Sequence, residues 1–224
     1  MALALLAFVP VPDAPFSPGP STASTPAPGV SPLKTIVTVK SSAYCTALGL
    51  HFNGAFAPMH SNDITIARAG VQLDDINTLF SKPDYVNRFV SARASLGKQV
   101  GALLDSLPHE QDEINKLREG EKATSDPQAA AQMHDTADQL QRAWDKQHQL
   151  AIDLQGVVQS MMEYNIFADQ PLGANDLENE TLPADMKNIK SYLRYDGQRQ
   201  AIADDEAKAV DIAYDIATNR CSAP

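Results

Sequence analysis

Between residues 127 and 164 small and apolar side chains return every seventh residue in three parallel rows. Met133, Leu140, Gln147, Leu154 and Met161 form the first row. Thr136, Ala143, Leu150, Val157 and Tyr164 form the second, and Ala137, Trp144, Ala151 and Val158 the third. This spacing describes an α-helix with one buried face, wider than a two-stranded coiled-coil seam and suited to a bundle. At 1.5 Å per residue the helix is roughly 55–60 Å long. A face of that length has to be covered by other helices. The one polar member of its first row, Gln147, is of the kind that sets register within a helical seam.

Prolines divide the rest of the chain into segments with helical patterns. After Ser41-Ser42, which can cap, a first helix is expected from Ala43 to about Ala57, with Cys45, Leu48, Phe52 and Phe56 on one side. Pro58 is expected to kink or end it, because proline lacks the N–H that the helix ladder needs. Ser61-Asn62-Asp63 reads as the cap of a second helix carrying Ile66, Gly70, Leu73, Ile76 and Phe80. A third starts at Pro83-Asp84 and runs through Val86, Phe89, Arg93, Leu96, Val100 and Leu103 until Leu107-Pro108 stops it. Residues 109–125 are strongly charged and read as a short exposed helix followed by a loop at Gly120. Ser125-Asp126-Pro127 opens the long helix. Residues 168–183 form an irregular connection. A last helix, from about Ala184 to Asn219, is expected to bend at Asp196-Gly197-Gln198. The fold class is therefore all-α: an elongated antiparallel bundle of four to five helices, since sequential helices on short connections pack antiparallel.

The first 33 residues differ in composition. Ala2–Val9 is apolar and as short as the shortest signal-peptide core, but no Lys or Arg precedes Lys34. Residues 1–9 thus read as a partial signal-peptide core. Residues 10–33 are Pro, Ser, Thr, Ala and Gly-rich with one charge, Asp13, and read as a disordered tether. Residues 34–224 read as a single bundle domain. At its start, Thr35 to Val39 are five consecutive β-branched residues with strand-like alternation. No second strand exists to pair with them. Residues 34–40 are expected to lie extended along the bundle or to pair with a second copy in a homodimer, for which helix-to-helix contact is the alternative.

The formal charge of −10 disfavours nucleic acid as a partner, because a phosphate backbone would be repelled. No segment has the roughly 20 apolar residues of a membrane span. Cys45 and Cys221 bracket the folded region, and in an exported chain such a pair reads as a structural disulfide. No CxxC or Cys-His spacing supports a metal or redox role. There is no Glu-x-x-His motif of the di-iron bundles, no Gly-x-Ser-x-Gly elbow and no phosphate-cradling glycine loop. Asp145 with His148, and His109 with Glu113, lie one helical turn apart and read as solvated pairs.

Two polar groupings remain. Arg93 interrupts an apolar stripe, and Asp205 and Glu206 interrupt that of the last helix, so the three are candidates for an interior ion pair. Asp176, Glu178 and Glu180 alternate in the irregular connection and offer oxygen ligands to calcium without EF-hand spacing. Asn179-Glu180-Thr181 also matches a glycosylation sequon. No catalytic residue and no cofactor is assigned.

These features lead to a non-catalytic exported or cell-envelope bundle with a structural or binding role, whose partner is a protein or a small ligand. The location expected is secreted, periplasmic or envelope, with cytoplasmic as the alternative. The alternative function is a ligand-binding or metal-binding bundle, or an enzyme, using Arg93, Asp205 and Glu206.

Overall fold

The computed structural model describes residues 29–40, 42–79, 84–163 and 189–222. Its helices are α1 (Ala43–Ala47), α2 (Asn53–Leu79), α3 (Tyr85–Lys122), α4 (Pro127–Glu163), α5 (Ile189–Tyr192) and α6 (Tyr195–Asn219). A π-helical turn, Leu48–Phe52, joins α1 to α2, so that one helical rod runs from Ala43 to Leu79. The described residues contain no strand. The result is the antiparallel helical bundle expected from the sequence.

Cross-helix contacts show the antiparallel order. Along α3, Arg93, Leu107, Gln111 and Arg118 meet Met161, Trp144, Gln141 and Asp138 of α4 in descending order. Gln132, Lys146 and Asp153 of α4 likewise meet Asp215, Asp205 and Gln198 of α6. The start of α4 is fixed locally. Asp126 Oδ1 accepts from the Gln128 and Ala129 N–H groups at 2.9 and 3.2 Å, while Arg220 Nη1 donates to Asp126 Oδ2 at 2.6 Å. The Ala129 N–H in particular holds this carboxyl below the ordinary aspartate value.

Two prolines do not stop their helices, contrary to expectation. Pro58 lies inside α2 and Pro108 inside α3. An interior proline costs on the order of 3 kcal/mol, but here the buried face continues past it. Ala55, Phe56, Met59 and Ile66 are buried around Pro58, and Leu107, Ile114 and Leu117 around Pro108. Beside Pro108, Trp144 Nε1 donates to the Leu107 carbonyl at 2.9 Å. Ser61-Asn62-Asp63 is therefore helix interior and not a cap.

Gly120 is likewise helical, not a loop. It lies against Ala47, and a Cβ placed on it would overlap the Ala47 Cβ. Glycine is required there by the close approach of α1 to α3. The break in the last helical region falls at Leu193–Arg194, where Arg194 has φ 49°, so Asp196-Gly197-Gln198 belongs to α6. Asp84, with φ 60°, precedes α3; Pro83 is outside the described residues.

Residues 30–39 adopt no regular secondary structure. Ile36 is buried while Val37 and Val39 are exposed, so the alternation survives without a strand. The segment's backbone is bonded to the bundle at two points. Asn53 accepts from Ile36 N at 2.9 Å and donates to Ile36 O at 2.8 Å. Cys221 O accepts from Val39 N and Lys40 N at 2.9 and 3.0 Å. Cys45 and Cys221 are joined in a disulfide, Cα to Cα 5.6 Å. The same junction thus ties the segment, α1 and the end of α6.

Candidate functional site

The bundle core is split in two. One apolar cluster gathers residues such as Phe52, Met59, Leu140 and Ile216; the other gathers Ile66, Leu103, Leu154 and Ile202. Between them lies a polar layer with a residue from each long helix: Asn62 and Asp63 from α2, Glu110 from α3, Gln147 from α4 and Glu206 from α6. Asn62, Glu110, Gln147 and Glu206 are buried.

Gln147, the polar member of the first heptad row, is the hub. Its Nε2 has three acceptors in range: Asp63 Oδ1 at 2.9 Å, Glu206 Oε1 at 3.0 Å and the Met59 carbonyl at 3.1 Å. Two N–H groups serve three acceptors, so the bonding there is shared. Asn62 Nδ2 donates to Glu110 Oε1 at 2.6 Å, and Ser106 Oγ donates to Asn62 Oδ1 at 3.0 Å. Glu110 Oε2 is buried with no hydrogen-bond partner among the described residues.

Burial raises the affinity of all three acids for protons. It pushes Glu110 up to about 7, despite the opposing pull of the nearby Ser106 hydroxyl and of the Asn62 bond. It raises Glu206 well above the ordinary glutamate value, reinforced by the charge of the adjacent Asp63. Asp63 is raised by burial too, against the opposing pull of Glu206, Gln147, His60 and Arg199. Two carboxyls this close, one of them buried, resist ionising together. The charge of Asp63 therefore favours the protonated form of Glu206.

A cavity of about 480 Å³ reaches this pair from outside. It lies between α2, α6 and the segment 29–34. Asp63 and Glu206 face it, as do the basic residues Lys34, His60 and Arg199 and the acidic Asp196. Phe56, Ala207 and Val210 supply apolar wall on the helix side, and Val30 and Pro32 do so on the segment side. The volume is within the range of small-ligand sites. Such a wall can hold a compact organic group, and its floor can accept hydrogen bonds or take up and release a proton.

The structure does not bring Arg93, Asp205 and Glu206 together. Arg93 Nη1 donates to the Met161 carbonyl at 3.4 Å, towards the far end of α4. Asp205 is buried and pairs with Lys146 and, at 3.7 Å, with Lys208. Only Glu206 enters the polar layer. Adjacent positions on α6 point to different neighbours, and stripe membership alone carries no register between helices. Asp176, Glu178, Glu180 and the sequon lie outside the described residues.

The histidine pairs also resolve separately. His148 stacks on Trp144, and Asp145 accepts from Gln141. Glu113 meets His51 Nδ1 at 2.8 Å and Lys116 at 2.8 Å instead of His109. Burial works to raise Glu113, but the Lys116 and His51 bonds outweigh it and hold the carboxyl below its ordinary value. Among the described residues no group of three or more His, Cys, Asp or Glu side chains is placed to hold a metal ion. No described helix is long and apolar enough to cross a membrane.

Asn62, Asp63, Glu110 and His60 were not legible as site residues. Asn62 and Asp63 have the chemistry of a helix cap, and Glu110 sits in a charged run. The available signal was the spacing from Phe56 through His60 to Asp63, which places them on one helix face. The class defined by fold and site is thus an antiparallel helical bundle with a buried carboxyl layer open to one cavity. No protein-family model matches the chain, and neither a curated protein nor a solved structure is similar to it.

Proposed function

We propose that this chain is an exported, non-catalytic binding protein that takes a small molecule into the cavity between α2, α6 and residues 29–34. The observation that carries this reading is the placement of the buried carboxyl of Glu206 and the half-buried carboxyl of Asp63 on the wall of a cavity of about 480 Å³. Buried acids that only stabilised the bundle would be expensive, because apolar residues of similar volume generally do as well or better. A binding site accounts for their presence. The disulfide supports an oxidising destination, where such bonds persist.

The test is a ¹H–¹⁵N correlation spectrum recorded against a panel of small cations, anions and neutral compounds. Binding predicts saturable shifts centred on Phe56, Asp63, Ala203 and Glu206. If every member leaves those resonances unmoved at millimolar concentration, the reading fails.

A second reading is homodimerisation through residues 34–40. Val37 and Val39 are 73% and 68% exposed, and Leu50 on the neighbouring turn is 62% exposed. Sizing across a hundredfold concentration range tests it. A mass that stays monomeric throughout excludes it.

A further inference from the structure

We propose that the ligand of this cavity is a small organic monocation, a primary ammonium with an apolar substituent, whose nitrogen sits on the carboxyls of Asp63 and Glu206. This rests on the binding role proposed above and assigns its ligand class. Two observations and the chemistry of an ammonium converge on it. The two carboxyls face the cavity from opposite helices, Asp63 on α2 and Glu206 on α6. An ammonium has three donors and can bond to both acids at once. The wall beside them, Phe56, Ala207 and Val210, suits the remainder of an amphiphilic amine.

The ligand's charge is limited to one. Beyond the two acids the charged lining is Lys34 and Arg199 against the single Asp196, so a second ammonium on a longer ligand meets more like charge than opposite. This separates the site from general attraction to an acidic protein of net charge −10, for which a dication always binds better than a monocation.

Binding also moves a proton. Burial and the neighbouring Asp63 charge favour a proton on Glu206 in the free site; an ammonium supplies the compensating charge, and the proton leaves to solvent. Affinity therefore rises as pH rises through the raised titration range of the pair. The groups around it are His60 from α2, Glu110 from α3, the neutral Gln147 from α4, Asp196 and Arg199 from α6, and Lys34 from the segment. Lys146 is engaged by Asp205.

Calorimetry at pH 7.5 with the full chain tests this, using phenethylamine, 2-phenylethanol, phenylacetate, butylamine and 1,4-diaminobutane. Phenethylamine is expected to bind at least tenfold more tightly than the alcohol or the carboxylate, and butylamine more tightly than the diamine. Its heat should vary with buffer ionisation enthalpy, reporting the released proton. Asp63→Asn and Glu206→Gln should each lower phenethylamine affinity at least tenfold. Ala207→Trp, which fills the cavity without altering the acids, should abolish binding and serves if an acid variant fails to fold.

Equal binding of 2-phenylethanol or phenylacetate overturns the ligand class and leaves a binding cavity intact. Tighter binding of the diamine, or amine binding that survives Ala207→Trp, overturns the site. If none of the five compounds binds, the assignment to amines is overturned. The wider spectral panel then decides whether the binding role falls with it.

Discussion

The side-chain amide of Asn62 donates to Oε1 of Glu110 at 2.6 Å, deep between α2 and α3. It satisfies one oxygen of an acid whose other oxygen has no partner among the described residues. Burial outweighs that bond, so Glu110 favours its proton, and with it the neutral form, up to about pH 7.

Stability should accordingly fall as the solution is taken from mild acid to neutrality. Below the unfolded-state value, near 4.5, Glu110 is protonated in both states and contributes no pH dependence. Above it the unfolded chain releases a proton that the folded one keeps, and the folded state loses ground until Glu110 itself ionises near 7. The span corresponds to at most about 3 kcal/mol. Asp63 and Glu206 act with the same sign. Glu113 acts with the opposite sign, its contribution being lost in acid. Urea denaturation at pH 5 and pH 7.5 should show Glu110→Gln stabilising the protein by about 1–3 kcal/mol at the higher pH and having little effect at the lower. No difference between the two pH values would contradict the assignment.

Gly120 and Gly101 should respond oppositely to alanine. A methyl at Gly120 meets Ala47, whereas one at Gly101 meets nothing within 4 Å. Gly120→Ala should cost about 1–3 kcal/mol through overpacking. Gly101→Ala should add about 0.5–1 kcal/mol by its helix propensity. The same denaturation experiment reads both, and two changes of the same sign would contradict the close contact of α1 with α3.

The disulfide should hold down the segment that walls the cavity. Cys45 and Cys221 are 176 residues apart, and opening so long a loop costs up to about 5 kcal/mol on chain-entropy grounds. Cys45→Ala with Cys221→Ala should lower the melting temperature. It should also speed amide exchange at Val39 and Lys40, which donate to the Cys221 carbonyl. Protection at those amides unchanged from wild type would separate the segment from the clasp.

What the sequence revealed of this fold depended on whether the deciding interaction was local. The rows through Met133, Leu140, Leu154 and Met161 repeat within one helix, so α4 and its buried face could be read directly. Cys45 and Cys221 could be paired because the chain has no other cysteines. Pro58 and Pro108 misled because their cost is local while the compensation, a buried face continuing on both sides, is tertiary. Asn62 and Asp63 misled for a related reason: short polar residues serve equally as caps and as partners for buried acids. The link from Gln147 to Asp63 and Glu206 spans three helices, and its register is set only once they pack. Gln147 was visible as an anomaly. What it held was not.

The most direct test of the account is a ¹³C NMR titration of the side-chain carboxyls of Asp63, Glu110 and Glu206 in the folded chain. The account predicts that all three titrate above the ordinary carboxylate range, with Glu110 near 7. Midpoints near 4 for Glu110 and Glu206 would mean that both are hydrated as freely as surface acids, and would contradict a buried carboxyl layer at the centre of this bundle.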